Sequence, residues 1–287
     1  MNFHERLRRN GPVFQTHTKA HHEVLATESW FGDSKPHIGK QFTAAKARER
    51  KADIINLLFR AAKRERRDGE PDVALRLELL ADKLFYCQDA RRCGSLACPE
   101  CLRAFQKAKV AAQRTTIKQL KVTRRRKMLV MVTIIPLMLT YKTDDLPCLK
   151  VQKLNRWLKD ALIKAGFKRV MLGSIDLSWE DGFYQPHWHI GMWTADRERL
   201  KRRLKRIFPG LQRGDRPVHT SETYDLEFLA YKDKAIKLPA LLRNNRRGLP
   251  YLLLALDRTE PLELMVLSGV RLSAQKDGLK FKKIARR

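Results

Sequence analysis

The chain has 287 residues, and its 60 Lys and Arg against 31 Asp and Glu give a formal net charge of +29 at pH 7. A positive field of that size favours a polyanionic partner, usually nucleic acid, over the plainer alternatives of a ribosome-associated protein or a membrane-surface binder. No apolar run approaches the ~20 residues of a membrane helix, so no membrane partner is expected. The charged start Met1-Asn2-Phe3-His4-Glu5-Arg6 shows no export signal, so the expected setting is cytoplasmic. There the five cysteines are not expected to form a disulfide framework, and metal binding becomes the leading use for clustered ones.

Residues 1–42 mix His, Gly, Pro and charge without a period and are expected to be a loosely ordered lead-in. From Thr43 to Arg67, the positions Ala44, Ala47, Ile54, Ile55, Leu58 and Ala61 predict an amphipathic helix with a dense basic face. Asp68-Gly69-Glu70 breaks it. Pro71 suits the first turn of a second helix, whose Val73, Leu75, Leu77, Leu80, Leu84 and Phe85 run into a cysteine cluster. A basic helix is predicted from Leu102 to Leu120, which completes a basic helical module over 43–120.

In that module Cys87, Cys93, Cys98 and Cys101 lie close together, and Cys98-Pro99-Glu100-Cys101 is a tight pair suited to gripping one tetrahedral ion. Gly94 and Pro99 supply turns. The reading is a structural zinc site; the alternative is four reduced cysteines that merely pack. Cys148 stands alone and receives no role.

Residues 121–245 read as an α+β domain with helices on an antiparallel sheet. Met128 to Ile135, apolar and β-branched, predicts a buried central strand. A helix follows from Leu149 to Phe167, with Leu154, Trp157, Leu158 and Leu162 on one face. Two strands at about Lys168–Trp179 and Gln185–Trp193 flank an Asp181-Gly182 hairpin signal. Arg197 to Phe208 reads as a very basic helix whose Arg202, Arg203 and Arg206 are candidate DNA-phosphate contacts. A short strand is expected before Thr223, a helix over Tyr224–Lys237, and a helical segment with a basic tail over 246–287.

In Pro186-His187-Trp188-His189, the two histidines are two residues apart on a strand, so both imidazoles leave one face while Trp188 turns into the core. Asp176, on the other arm of the hairpin, offers an oxygen. Two imidazoles and a carboxylate can hold a divalent ion with sites left open for substrate; ordinary surface histidines and an ion-paired carboxylate are the alternatives. On the predicted helix downstream, Glu227 and Tyr231 are i, i+4 neighbours and Lys234 lies three further along. A hydroxyl nucleophile, a carboxylate and a cation are suited to phosphoryl transfer. The alternative is a tyrosine that only packs.

The order of apolar strand, Pro186-His187-Trp188-His189, and Glu227-x-x-x-Tyr231-x-x-Lys234 resembles the three motifs of the HUH-type rolling-circle replication initiators of bacterial plasmids. The cysteine cluster resembles the Cys-Pro-x-Cys segment that often precedes them. The resemblance covers about Cys87 to Lys237. It implies a ferredoxin-like or palm-like sheet with the histidines on its central face, a catalytic Mg2+ or Mn2+, and Tyr231 as the nucleophile that becomes joined to DNA through a 5′-phosphate. It also implies Asp176 as the acidic ligand, and as partners single-stranded DNA, origin duplex DNA, and host helicase and polymerase. Gln185 stands where many relatives carry His or an aromatic residue, and Asp176 replaces the commoner Glu. HUH relaxases and transposases are related alternatives. A non-enzymatic zinc-containing DNA- or RNA-binding protein is the alternative from another class.

Overall fold

The computed structural model describes residues 43–89, 91–106, 108–110, 128–167, 171–180, 182–211, 215–222, 245–268, 270–275 and 278–283. Helix α1 (Ala44–Arg67) starts where the Thr43 hydroxyl accepts the backbone N–H of Lys46 at 3.2 Å, which satisfies one of the orphan donors of a helix start. It ends at Asp68, and Gly69 takes the left-handed conformation (φ 83°) that reverses the chain. Pro71 then opens α2 (Pro71–Phe85). The two helices form a hairpin over buried Ile54, Leu58, Leu77, Leu80 and Leu84. Arg66 pairs with Glu78 near the turn, at 2.6 Å, and Lys51 donates to the Cys87 carbonyl at the open end, at 2.8 Å. The predicted third helix is present over 99–106 and 108–110; its continuation to Leu120 lies outside the described residues.

Five antiparallel strands form the main sheet: β1 (Met128–Ile134), β2 (Met171–Glu180), β3 (Phe183–Thr194), β4 (Val218–Glu222) and β5 (Met265–Ser268), in the order β4-β1-β3-β2-β5. The fold is α+β. Helix α3 (Val151–Lys164) connects β1 to β2, and α4 (Arg197–Ile207) connects β3 to β4. The chain from β1 to β4 therefore runs β-α-β-β-α-β. The Glu180–Phe183 pair closes the β2–β3 hairpin through a two-residue turn, with Gly182 at φ 85°, as the Asp-Gly signal requires. The middle of the sheet is β3, the His-x-His strand. The strand predicted to be central, β1, is interior but one place away, because its apolar run reports burial and not rank among its neighbours.

One face of the sheet carries α3 and α4. Trp188, wholly buried on β3, donates its indole N–H to Asn155 of α3 at 2.7 Å, and its ring lies 6.0 Å from that of Trp157. The helices are antiparallel neighbours: Arg203 of α4 donates to the Ala165 carbonyl at the end of α3, and Phe208 after α4 meets Trp157 in the middle of α3.

Residues 246–287, expected to be helical with a basic tail, contain helix α5 (Leu249–Asp257) but also three strands. Strand β5 extends the main sheet beside β2, and β6 (Val270–Gln275) pairs with β7 (Gly278–Lys283) in a separate two-stranded sheet. A short apolar run such as Met265-Val266-Leu267 has no period that separates strand from helix. Helix α5 is tied to α2 by the Lys83–Asp257 ion pair at 2.7 Å. One apolar core extends from Ile54 on α1 through the sheet to Leu252 on α5 and Val266 on β5. Among the described residues, no helix is long and apolar enough to cross a membrane.

Candidate metal centres

Because side chains alternate along a strand, Trp188 toward the helices places His187 and His189 on the opposite face of the sheet. Residues paired across an antiparallel ladder share a face. Asp176 on β2 is the register partner of His187, and Ser174 and Thr133 flank His189 on its two sides. The sequence-predicted trio is therefore brought together. The two imidazoles lie edge to face with centroids 5.1 Å apart, and His187 Nε2 is 3.3 Å from Asp176 Oδ2. One ligand atom from each of Asp176, His187 and His189 falls within 4.8 Å of the others. Opposed ligands of an ion bound at about 2.1 Å are about 4.2 Å apart, so the three residues could hold one cation.

Asp176 and His187 are both buried, and a buried carboxylate requires compensation. Asp176 Oδ1 accepts the Leu177 backbone N–H at 2.8 Å, which fixes the carboxylate and leaves Oδ2 toward His187. His189 Nδ1 lies 3.0 Å from the Thr133 hydroxyl. That contact orients the ring, the usual office of a group behind a metal-binding histidine. Close strand approach is needed here as well: a Cβ on Gly173 would sit 2.5 Å from the His189 carbonyl oxygen.

The second centre is the cysteine cluster. Cys87 follows α2, Cys93 and Gly94 (φ 73°) turn the chain, and Cys98 and Cys101 bracket the start of the helix at 99. All four thiols are buried. The Sγ of Cys101 is 3.5 Å from that of Cys87 and 3.6 Å from that of Cys93, and Cys98 is 3.7 Å from Cys87. These separations exclude disulfides and match the ~3.8 Å edge of a tetrahedron with metal–sulfur bonds of about 2.3 Å. The cluster can hold a metal ion such as zinc. Neighbouring thiols and the Cys93 backbone N–H, which donate to Cys87, pull its pKa far down, while burial pushes the Cys98 thiol well up. Lys51 ion-pairs with Glu100 between Cys98 and Cys101 and also holds the Cys87 carbonyl at 2.8 Å, so α1 braces the cluster from outside.

Tyr231, Glu227, Lys234 and Tyr224 lie outside the described residues. The three α4 arginines singled out in the sequence, Arg202, Arg203 and Arg206, are all exposed. Arg203 donates to the Ala165 carbonyl at 2.7 Å and lies over the Phe167 ring, 4.4 Å from its centroid, which assigns it to joining α4 and α3. All three are on the helical layer, away from the histidine face. Sequence reasoning missed Thr133, a single hydroxyl in an apolar strand, and Asn155, a single amide in the apolar stripe of α3. In each case one polar residue at a core-facing or half-buried position was the available signal. It also missed His219, which pairs in register with Thr133 on the same face as the histidine pair and is exposed.

Comparison of the chain with protein-family models, curated proteins and solved structures found no match.

Proposed function

We propose that this chain is a metal-dependent DNA nicking and joining enzyme of the HUH type, acting as a rolling-circle replication initiator. The observation that carries the reading is the placement of His187 and His189 on the middle strand, with Asp176 in register beside them, on the face of a β-α-β-β-α-β sheet opposite its helices. The strand order β4-β1-β3-β2 is that of a ferredoxin-like unit, the architecture the sequence resemblance implies.

In this reading His187, His189 and Asp176 would hold the catalytic divalent ion. Of Mg2+ and Mn2+, two imidazoles and one carboxylate favour Mn2+, because Mg2+ prefers an all-oxygen shell. Such an ion, when bound, would supply Lewis-acid polarisation of the scissile phosphate. Tyr231 gives its proton to a base and its oxygen attacks phosphorus; the bond to the 3′-oxygen breaks, and that oxygen takes up a proton to leave a 3′-hydroxyl primer. The DNA 5′-phosphate is then esterified to Tyr231. Lys234 offsets phosphate charge, and Glu227 activates water to release the enzyme. The substrates are single-stranded DNA and the origin duplex, with host helicase and polymerase acting on the exposed primer.

One observation favours a second reading. His187 and Asp176 are close enough to form a buried ion pair without any metal, as in a zinc-containing DNA- or RNA-binding protein with no chemistry. Incubation with a single-stranded oligonucleotide and Mn2+ separates the two. The enzyme reading expects cleavage by the native chain and none by His187→Ala/His189→Ala, with nonspecific binding largely kept; metal-dependent cleavage by the double variant refutes the site.

A further inference from the structure

The helical layer on the other side of the sheet has the composition of a binding surface. Helices α3 and α4 together carry eleven Lys and Arg against two acidic residues, Asp160 and Glu198. Lys153, Arg156, Lys164, Arg202, Lys205 and Arg206 are all exposed. None of these six has an acidic partner among the described residues. Such a concentration of like charge on two adjacent helices repels itself and destabilises the folded layer unless a polyanion neutralises it. The packing holds the charges on a firm base. Leu200 and Leu204 are buried beneath α4, Leu158 and Leu162 beneath α3, and Arg203 bridges the two helices through the Ala165 carbonyl.

We infer that the α3–α4 layer is a second nucleic-acid surface, which holds duplex DNA through its phosphates on the face opposite the histidine pair. The charge favours DNA phosphates over an acidic protein segment because the cations are spread over two rigid antiparallel helices with few apolar anchors between them. The large apolar side chain most exposed on α3, Trp157 at 42 %, already packs its ring against Trp188 and Phe208. A duplex is favoured over a single strand because a single-strand site interleaves its cations with several aromatic platforms for unstacked bases. The inference goes beyond the nicking reading and does not depend on it: the sheet has two usable faces, one with the divalent-ion ligands and one with the cations.

Two double variants with the same change in net charge test it in the full chain: Arg156→Glu/Arg206→Glu on the two helices, and Lys142→Glu/Arg247→Glu outside them. All four residues are exposed. Binding to a duplex of arbitrary sequence is measured by fluorescence anisotropy across a salt series with chelator present. The layer variant is expected to lose at least about tenfold in affinity and to flatten the slope of log K against log salt by about 2, since each lost phosphate contact removes about 0.9. The matched variant is expected to lose much less. Native affinity and slope in the layer variant, equal losses in both variants, or no duplex binding by the native chain would each overturn the inference. Mn2+-dependent cleavage of a short single-stranded oligonucleotide, read in parallel, distinguishes the two claims. Absence of cleavage with the duplex result intact removes the nicking reading alone.

Discussion

Asn155 on α3 accepts the indole N–H of Trp188 at 2.7 Å and donates to the Glu263 carbonyl, so one amide joins the middle strand to the turn before β5. The strand residues on either side of Trp188 are the two histidines, and their direction is set by what holds the tryptophan. Asn155→Ala leaves a buried indole donor and a carbonyl without that partner, which costs about 1–3 kcal/mol per group. Chemical denaturation is expected to show a destabilisation in that range, together with weaker Mn2+ binding at the opposite face. Unchanged stability contradicts the role given to Asn155.

Thr133 offers a quieter test of the same site. Thr133→Val keeps the shape of the side chain and removes the hydroxyl that lies 3.0 Å from His189 Nδ1. Loss of a group behind a metal-binding histidine typically weakens metal affinity by about 10–100-fold. Titration with Mn2+ should show a drop of this order with thermal stability nearly unchanged. Equal Mn2+ affinity in the variant would mean that His189 is oriented by other contacts.

The cysteine cluster is expected to hold about one zinc ion per chain, from its four-ligand geometry. Cys98→Ser/Cys101→Ser should abolish tight zinc binding and lower stability by about 4 kcal/mol or more, because loss of a structural metal belongs to the small class of large effects. Since the ligands bind as thiolates, acidification should release the ion from the native protein. Metal analysis of freshly reduced protein that finds none contradicts the site.

Much of this arrangement was legible from local chemistry. The Asp-Gly turn set the hairpin, alternation set Trp188 against the histidine pair, and hairpin register carried Asp176 to His187. The cysteines could be grouped because all four fall within one short stretch of chain. Legibility failed where long-range pairing decides. The rank of β1 against β3 depends on β4 and β5, whose pairings connect residues far apart in the chain. Strand β5 is four residues long, too short for its period to show. Arg203 looked like its neighbours on α4, yet its partners Ala165 and Phe167 follow a different helix, α3.

The covalent step is tested most directly by looking for a denaturation-resistant protein–DNA species on single-stranded DNA with Mn2+. Tyr231→Phe keeps nearly the whole apolar volume and removes only the attacking oxygen. The native chain is expected to form the adduct, and Tyr231→Phe to bind DNA normally while forming none. No adduct from the native chain, or an adduct that persists in Tyr231→Phe and disappears in Tyr224→Phe, would contradict the assignment of Tyr231 as the nucleophile.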